Sequence, residues 1–170
     1  MQEYFTLFGL PERYALDLAQ LDTAYRNVQG QVHPDRFANR PEAERRVAMQ
    51  WATLVNEAFR TLRSPISRAR YLLSRRGMDI DGERNTGMSS AFLMQQMEWR
   101  EAVEESQKDV EELDRLNREL ARDERVMLDD LARAIDEAAD LATAAELVRR
   151  LMFMEKLRLE ISDALAQLEN

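Results

Sequence analysis

Cysteine is absent from the 170 residues, and histidine occurs once, at position 33. The first absence removes disulfides, thiolate metal ligands and a cysteine nucleophile together, and with them any iron–sulfur cluster held through the chain's own thiolates. The second leaves His33 with no other imidazole to share a metal, so no resident metal or cofactor is expected. Glycine (5) and proline (4) are scarce, and 45% of residues are hydrophobic against 33% charged, a balance that suits a soluble helical protein with one or two small cores. No apolar run approaches a membrane span, and Met1-Gln2-Glu3-Tyr4 has neither the basic nor the apolar part of a secretory signal. A cytoplasmic protein without membrane contact is the expectation.

The net charge of −8 is unevenly spread. Residues 1–75 hold 11 Lys and Arg against 8 Asp and Glu, whereas residues 89–170 hold 11 against 21. Two halves of different sign imply two different partners. The acidic half argues against nucleic acid, which needs a concentrated cationic surface.

Along the chain, apolar spacing predicts helices only. Asp17 followed by Gln20 is a plausible capping box, and Leu18, Leu21, Tyr25, Val28 and Val32 then form one stripe on a helix that ends near Gln29, its end loosened by Gly30. A longer helix opens at Pro41 and carries Val47, Trp51, Leu54, Val55, Ala58, Phe59 and Leu62 as a broad core face. Ser64-Pro65 restarts a short helix. Gly77, Gly82 and Gly87 interrupt the pattern among polar residues and mark a linker at 77–88. Beyond it, Ser89 or Ser90 caps a helix to about Glu105. Two longer helices follow, with stripes at Leu113, Leu116, Leu120, Met127, Leu131, Ile135 and Ala138, and at Leu147, Leu151, Met154, Leu157, Ile161, Leu165 and Leu168. The expected fold is all-α: a helical hairpin with flanking short helices over 1–76, then an antiparallel three-helix bundle over 89–170.

Two features exceed what packing needs. The first is His33-Pro34-Asp35, at the tip of the hairpin. By itself the tripeptide is turn chemistry, since Pro34 pushes His33 out of the α region and Asp35 can bond the following backbone. Its place between two helices nevertheless exposes a ring, a rigid proline and a carboxylate together. The second is the helix over 89–105. Phe92, Trp99 and Val103 fall on one side at about 100° per residue, and Met94, Met97, Glu98, Glu101 and Glu105 on the other, with Leu93 at their edge. A three-helix bundle buries only one of these faces. If it buries the first, Leu93, Met94 and Met97 form a solvent-facing patch among carboxylates, as interaction surfaces do. Phe153, beside Met152, could be core margin or interface.

The hairpin with His33-Pro34-Asp35 resembles a J domain. Tyr4-Phe5-Thr6-Leu7-Phe8-Gly9-Leu10 resembles that family's opening segment, and Asn56-Glu57-Ala58-Phe59-Arg60-Thr61-Leu62 its third helix. Ser64-Pro65, Arg68-Ala69, Tyr71-Leu72-Leu73, Gly77, Ala91-Phe92-Leu93-Met94 and Leu151-Met152-Phe153-Met154-Glu155-Lys156-Leu157 extend the resemblance over nearly the whole chain to HscB, the J-type co-chaperones of iron–sulfur cluster assembly. The resemblance implies a non-enzymatic co-chaperone, expected as a monomer, that docks on the DnaK-type chaperone HscA and stimulates its ATPase. It places chaperone binding on His33, Pro34, Asp35, Arg26 and Arg36. It also implies delivery of the cluster scaffold IscU, bound through Leu93, Met94, Met97, Glu98, Glu101, Glu105 and Phe153. The chain departs from many J domains in having only Arg26 among Gln20, Asn27 and Gln31 on its second helix. With no cysteine in the sequence, the metal-binding N-terminal extension of some eukaryotic relatives is not expected, and the resemblance implies a bacterial-type protein. A general folding co-chaperone is disfavoured by the lack of a Gly/Phe-rich segment and of Cys-x-x-Cys repeats. Hydrolysis by His33 and Asp35 is disfavoured because no nucleophile or metal partner is recognisable and residues flanking a proline point apart more easily than together.

Overall fold

The computed structural model describes residues 3–81 and 88–168, so Gly82 and Gly87 of the expected linker lie outside the described residues. Among those described, every regular element is helical: α1 (Tyr4–Leu7), α2 (Leu18–Val32), a 3-10 turn (Pro34–Phe37), α3 (Glu42–Arg63), α4 (Pro65–Arg75), α5 (Ser90–Glu105), α6 (Val110–Asp136) and α7 (Leu141–Leu168). The chain divides into two compact units, Met1–Leu72 and Leu73–Asn170.

In the first unit, Asp17 caps α2 as its spacing suggests, its Oδ1 accepting from the N–H of Ala19 at 2.9 Å and of Gln20 at 3.3 Å. The helix does not stop near Gln29. It runs through Gly30 to Val32, and Pro34 is what ends it: His33, the residue before the proline, is extended at φ −59°, ψ 129°. α2 and α3 then pack as a hairpin. Leu21, Val55, Ala58 and Leu62 are fully buried between them and their neighbours, each leucine contributing about 1.5–3 kcal/mol of transfer free energy. Tyr25 stacks on Phe59 with ring centroids 4.0 Å apart and donates its hydroxyl to Asn56 Oδ1 at 2.8 Å, which fixes the register of the two helices. α1 is held by Tyr71, whose ring stacks on Tyr4 and whose hydroxyl accepts the Tyr4 backbone N–H at 2.9 Å. Burial, and then the nearby Glu57 carboxylate, raise the Tyr4 phenol above its ordinary value. Not all of the expected α3 stripe is core. Val47 is exposed and Ala48 buried in its place, because the stripe is centred on Ala48 and Val55 and one residue turns the side chain by about 100°. Leu18, on the first turn of α2, is likewise exposed.

The second unit begins inside the last turn of α4, and just past that helix Arg76 Nη1 donates to the Ile135 carbonyl at 3.0 Å. Ser89 Oγ accepts the Phe92 N–H at the start of α5, and Asp109 Oδ1 accepts the Glu112 N–H at the start of α6. Val103, Leu113, Leu116, Leu120, Met154, Leu157 and Ile161 form one buried cluster. Arg158 on α7 bonds Asn117 and Glu124 on α6, so the late part of α7 lies on the early part of α6 and the two run antiparallel. Arg100 faces Glu160 while Arg150 lies over Phe92, so α5 and α7 run in the same sense, as an up-down-up bundle requires. The expected stripes overreach at two ends: Ala138 lies past the end of α6 and is exposed, and Leu168 ends α7 partly exposed.

Candidate functional site

The turn between α2 and α3 presents the first surface. His33 Nδ1 accepts the backbone N–H of Asp35 at 3.3 Å and lies 3.5 Å from Asp35 Oδ2; the Asp35 side chain is 90% exposed and that of His33 43%. The two side chains therefore meet across Pro34, contrary to the expectation that they diverge, because the 3-10 turn folds Asp35 back over the ring that caps it. In the neutral ring an accepting Nδ1 places the proton on Nε2, which is left to donate outward. Arg36 is exposed but folds back on α2: its Nη1 donates to the Gly30 carbonyl at 2.9 Å, satisfying one of the last acceptors of that helix. Arg26 is exposed on α2. The structure also adds neighbours that the sequence reading missed. Pro34 and Asp35 line a shallow groove with Ala38, Glu42, Arg45, Arg46 and Met49, in which Arg46 pairs with Glu42 at 3.3 Å. The paired arginines one turn into α3 were the available signal. They put cationic side chains beside a loop whose preceding helix has few.

The second surface is the outer side of α5. Phe92 and Val103 are buried and Trp99 packs against the core, while Leu93, Met94 and Met97 are 47%, 63% and 71% exposed. Glu98, Glu101 and Glu105 are exposed beside them. The helix thus turns one apolar face inward and leaves a second one in water, with carboxylates along its edge. Phe153 differs from the rest of the set. It is half-buried, stacked 6.2 Å from Trp99, edge-on 6.1 Å from Phe92, and covered by the Arg100 guanidinium at 5.5 Å from its ring. Phe153 is part of the core margin, packed against the buried cluster and roofed by Arg100, which also faces Glu160 on α7. Such a face can take up a partner carrying apolar knobs in a basic surround. Among the described residues no group of three or more His, Cys, Asp or Glu is placed to hold a metal.

A two-helix hairpin with an exposed His-Pro-Asp turn at its tip, followed by a helical bundle, defines the class of J-domain co-chaperones. Residues 88–162 match the family model described as the HSCB C-terminal oligomerisation domain. The "Co-chaperone protein HscB homolog" of Aromatoleum aromaticum is 58% identical over 170 residues, covering 99% of this chain and 96% of that protein. The homolog of an Azoarcus species is 54% identical over 171 residues, with 99% and 97% covered. Among solved structures, the chaperone HscB from Vibrio cholerae superposes with a TM-score of 0.87 at 34% identity, over 98% of this chain and 99% of that one. Human co-chaperone protein HscB does so with a TM-score of 0.91 at 26% identity, over 100% and 84%. The chain belongs to the HscB co-chaperone family.

Proposed function

We propose that this co-chaperone acts in iron–sulfur cluster assembly, in the cytoplasm, by carrying the cluster scaffold IscU to the DnaK-type chaperone HscA and stimulating its ATPase. The observation that carries the reading is the unburied apolar face of α5, with its flanking carboxylates, in the same chain as the exposed His33-Pro34-Asp35 turn. One surface takes the client and the other takes the machine. Asp35, nearly free in solvent, offers its carboxylate to an arginine of the ATPase in a charge-assisted hydrogen bond, and Nε2–H of His33 offers a donor beside it. Arg26 and the arginines of the neighbouring groove face acidic groups of the chaperone, while Arg36 serves by holding the turn. Leu93, Met94 and Met97 are the apolar anchors for the scaffold, Glu98, Glu101 and Glu105 orient it, and Phe153 supports the face from behind. Stimulation requires only that the turn bind the hydrolysing state of the chaperone more tightly than the resting one.

The test is the steady-state ATPase of HscA with this chain and with IscU, added separately and together. The reading requires each to stimulate and the pair to exceed their sum. An ATPase unmoved by the chain rejects the chaperone assignment, and a scaffold that adds nothing rejects the client assignment.

A further inference from the structure

Met97 and Met94 are the most exposed large apolar side chains among the described residues, and they sit at the centre of the α5 face. Met154, by contrast, is fully buried in the bundle core. The chain has no cysteine to intercept an oxidant, so these thioethers are among its first points of attack. Thioether oxidation follows exposure, and a neutral peroxide is not turned away by the nearby Glu98, Glu101 and Glu105. We propose that Met94 and Met97 are an oxidation-sensitive modification site, at which conversion to the sulfoxides shuts the client face. The proposal rests on the reading of α5 as the scaffold surface.

The chemistry is a two-electron oxygen transfer. A sulfur lone pair attacks one oxygen of hydrogen peroxide, the O–O bond breaks as the S–O bond forms, and the departing hydroxide takes up the remaining proton as water. The sulfur is oxidised and the peroxide reduced. An apolar, flexible contact becomes a strong hydrogen-bond acceptor, added to a face already ringed by acceptors. Against apolar knobs of a partner the sulfoxide oxygen has no donor, and burying it costs affinity. Sulfoxide reductases remove the oxygen and so make the change reversible.

The full chain is treated with hydrogen peroxide, catalase is added, and each methionine is mapped by mass spectrometry before calorimetric titration with IscU. The expected result is that Met94 and Met97, with exposed Met49, are oxidised well before Met154, that the Kd for IscU rises at least about tenfold, and that sulfoxide reductases of both stereospecificities restore it. In Met94→Leu/Met97→Leu the ratio of treated to untreated Kd stays near one, whatever the starting affinity. The proposal is overturned if Met154 is oxidised as fast, if the oxidised chain binds as tightly as the untreated one, if circular dichroism shows that treatment unfolds the bundle, or if the double variant loses as much as the parent. An untreated chain that does not bind IscU overturns the client reading itself and this proposal with it, an outcome the untreated arm reveals alone.

Discussion

His33 Nδ1 accepts the Asp35 backbone N–H, and the carboxylate of the same Asp35 stands 3.5 Å from that nitrogen. One ring nitrogen is thus engaged within the turn, through the backbone N–H and the carboxylate of the same residue. The turn chemistry that His-Pro-Asp would show in any protein is what brings the two side chains together here.

Asp35→Asn keeps the backbone N–H that His33 Nδ1 caps and removes only the charge. Loss of a charge-assisted hydrogen bond is worth about 1.5–3 kcal/mol, so stimulation of the HscA ATPase at limiting co-chaperone should fall by about tenfold or more. His33→Gln should lose comparably, since a flexible amide replaces the ring whose bond to the Asp35 N–H fixes the direction of its donor. Neither side chain packs in the core, so circular dichroism and thermal midpoint should stay at the parent values. Full stimulation by both variants contradicts the docking assignment.

Arg26 and Arg36 should separate. Arg36→Ala deletes the bond to the Gly30 carbonyl, freeing the last turn of α2 at a cost of about 1 kcal/mol. Its effect on ATPase stimulation should persist at high salt and be accompanied by faster amide exchange over residues 30–36. Arg26→Ala, on an exposed side chain, should lower stimulation only at low ionic strength and leave exchange unchanged. Identical salt dependence for the two variants would place Arg36 at the interface instead.

The helices, their order and their inward faces were legible because apolar residues at three- and four-residue spacing leave few other arrangements for a chain so poor in glycine and proline. The double face of α5 was legible for the same reason: a bundle helix cannot bury both Phe92 and Met97. What sequence could not place depended on side chains reaching across turns. Gly30 weakens a helix by composition, yet the Arg36 guanidinium satisfies its carbonyl and Pro34 sets the end of α2, and the place of Phe153 depends on Trp99, Phe92 and Arg100 around it. Val47 is exposed because spacing alone tolerates a neighbour that helix geometry turns outward.

The turn between α6 and α7 carries two opposite effects on stability. Ala139 has φ +50°, a conformation that disfavours a side chain, and Ala139→Gly should stabilise the chain by about 0.5–1 kcal/mol in urea unfolding. Asp140 caps α7 through the Thr143 hydroxyl at 2.7 Å and the Thr143 N–H at 3.1 Å. The hydroxyl, then the backbone N–H of Thr143, hold its carboxyl below the ordinary carboxylate range. A lowered pKa means stability present above the unfolded value and lost as pH falls through the folded one. Asp140→Ala should therefore melt earlier than the parent at neutral pH, with the gap narrowing as pH falls below the ordinary carboxylate range. A gap that widens in acid would refute the cap.

The α5 face and Phe153 should respond differently to truncation, although both belong to the candidate scaffold surface. Leu93 and Met97 project into water, so Leu93→Ala/Met97→Ala removes contact area available to a partner and little internal packing. IscU binding should weaken by at least about 2 kcal/mol, roughly thirtyfold, with an unchanged melting temperature. Glu98→Gln/Glu101→Gln should be milder and salt-sensitive, because rim charges steer more than they hold. Phe153→Ala deletes a ring packed between Trp99, Phe92 and the Arg100 guanidinium, and should lower stability by about 2 kcal/mol. Any loss of IscU binding in that variant should then come from loosened packing beneath α5 rather than from a missing contact. Calorimetric titration with parallel urea melts distinguishes the two. A Phe153→Ala variant that melts like the parent but fails to bind IscU would make Phe153 a contact residue, and a Leu93→Ala/Met97→Ala variant that binds normally would remove α5 from the interface.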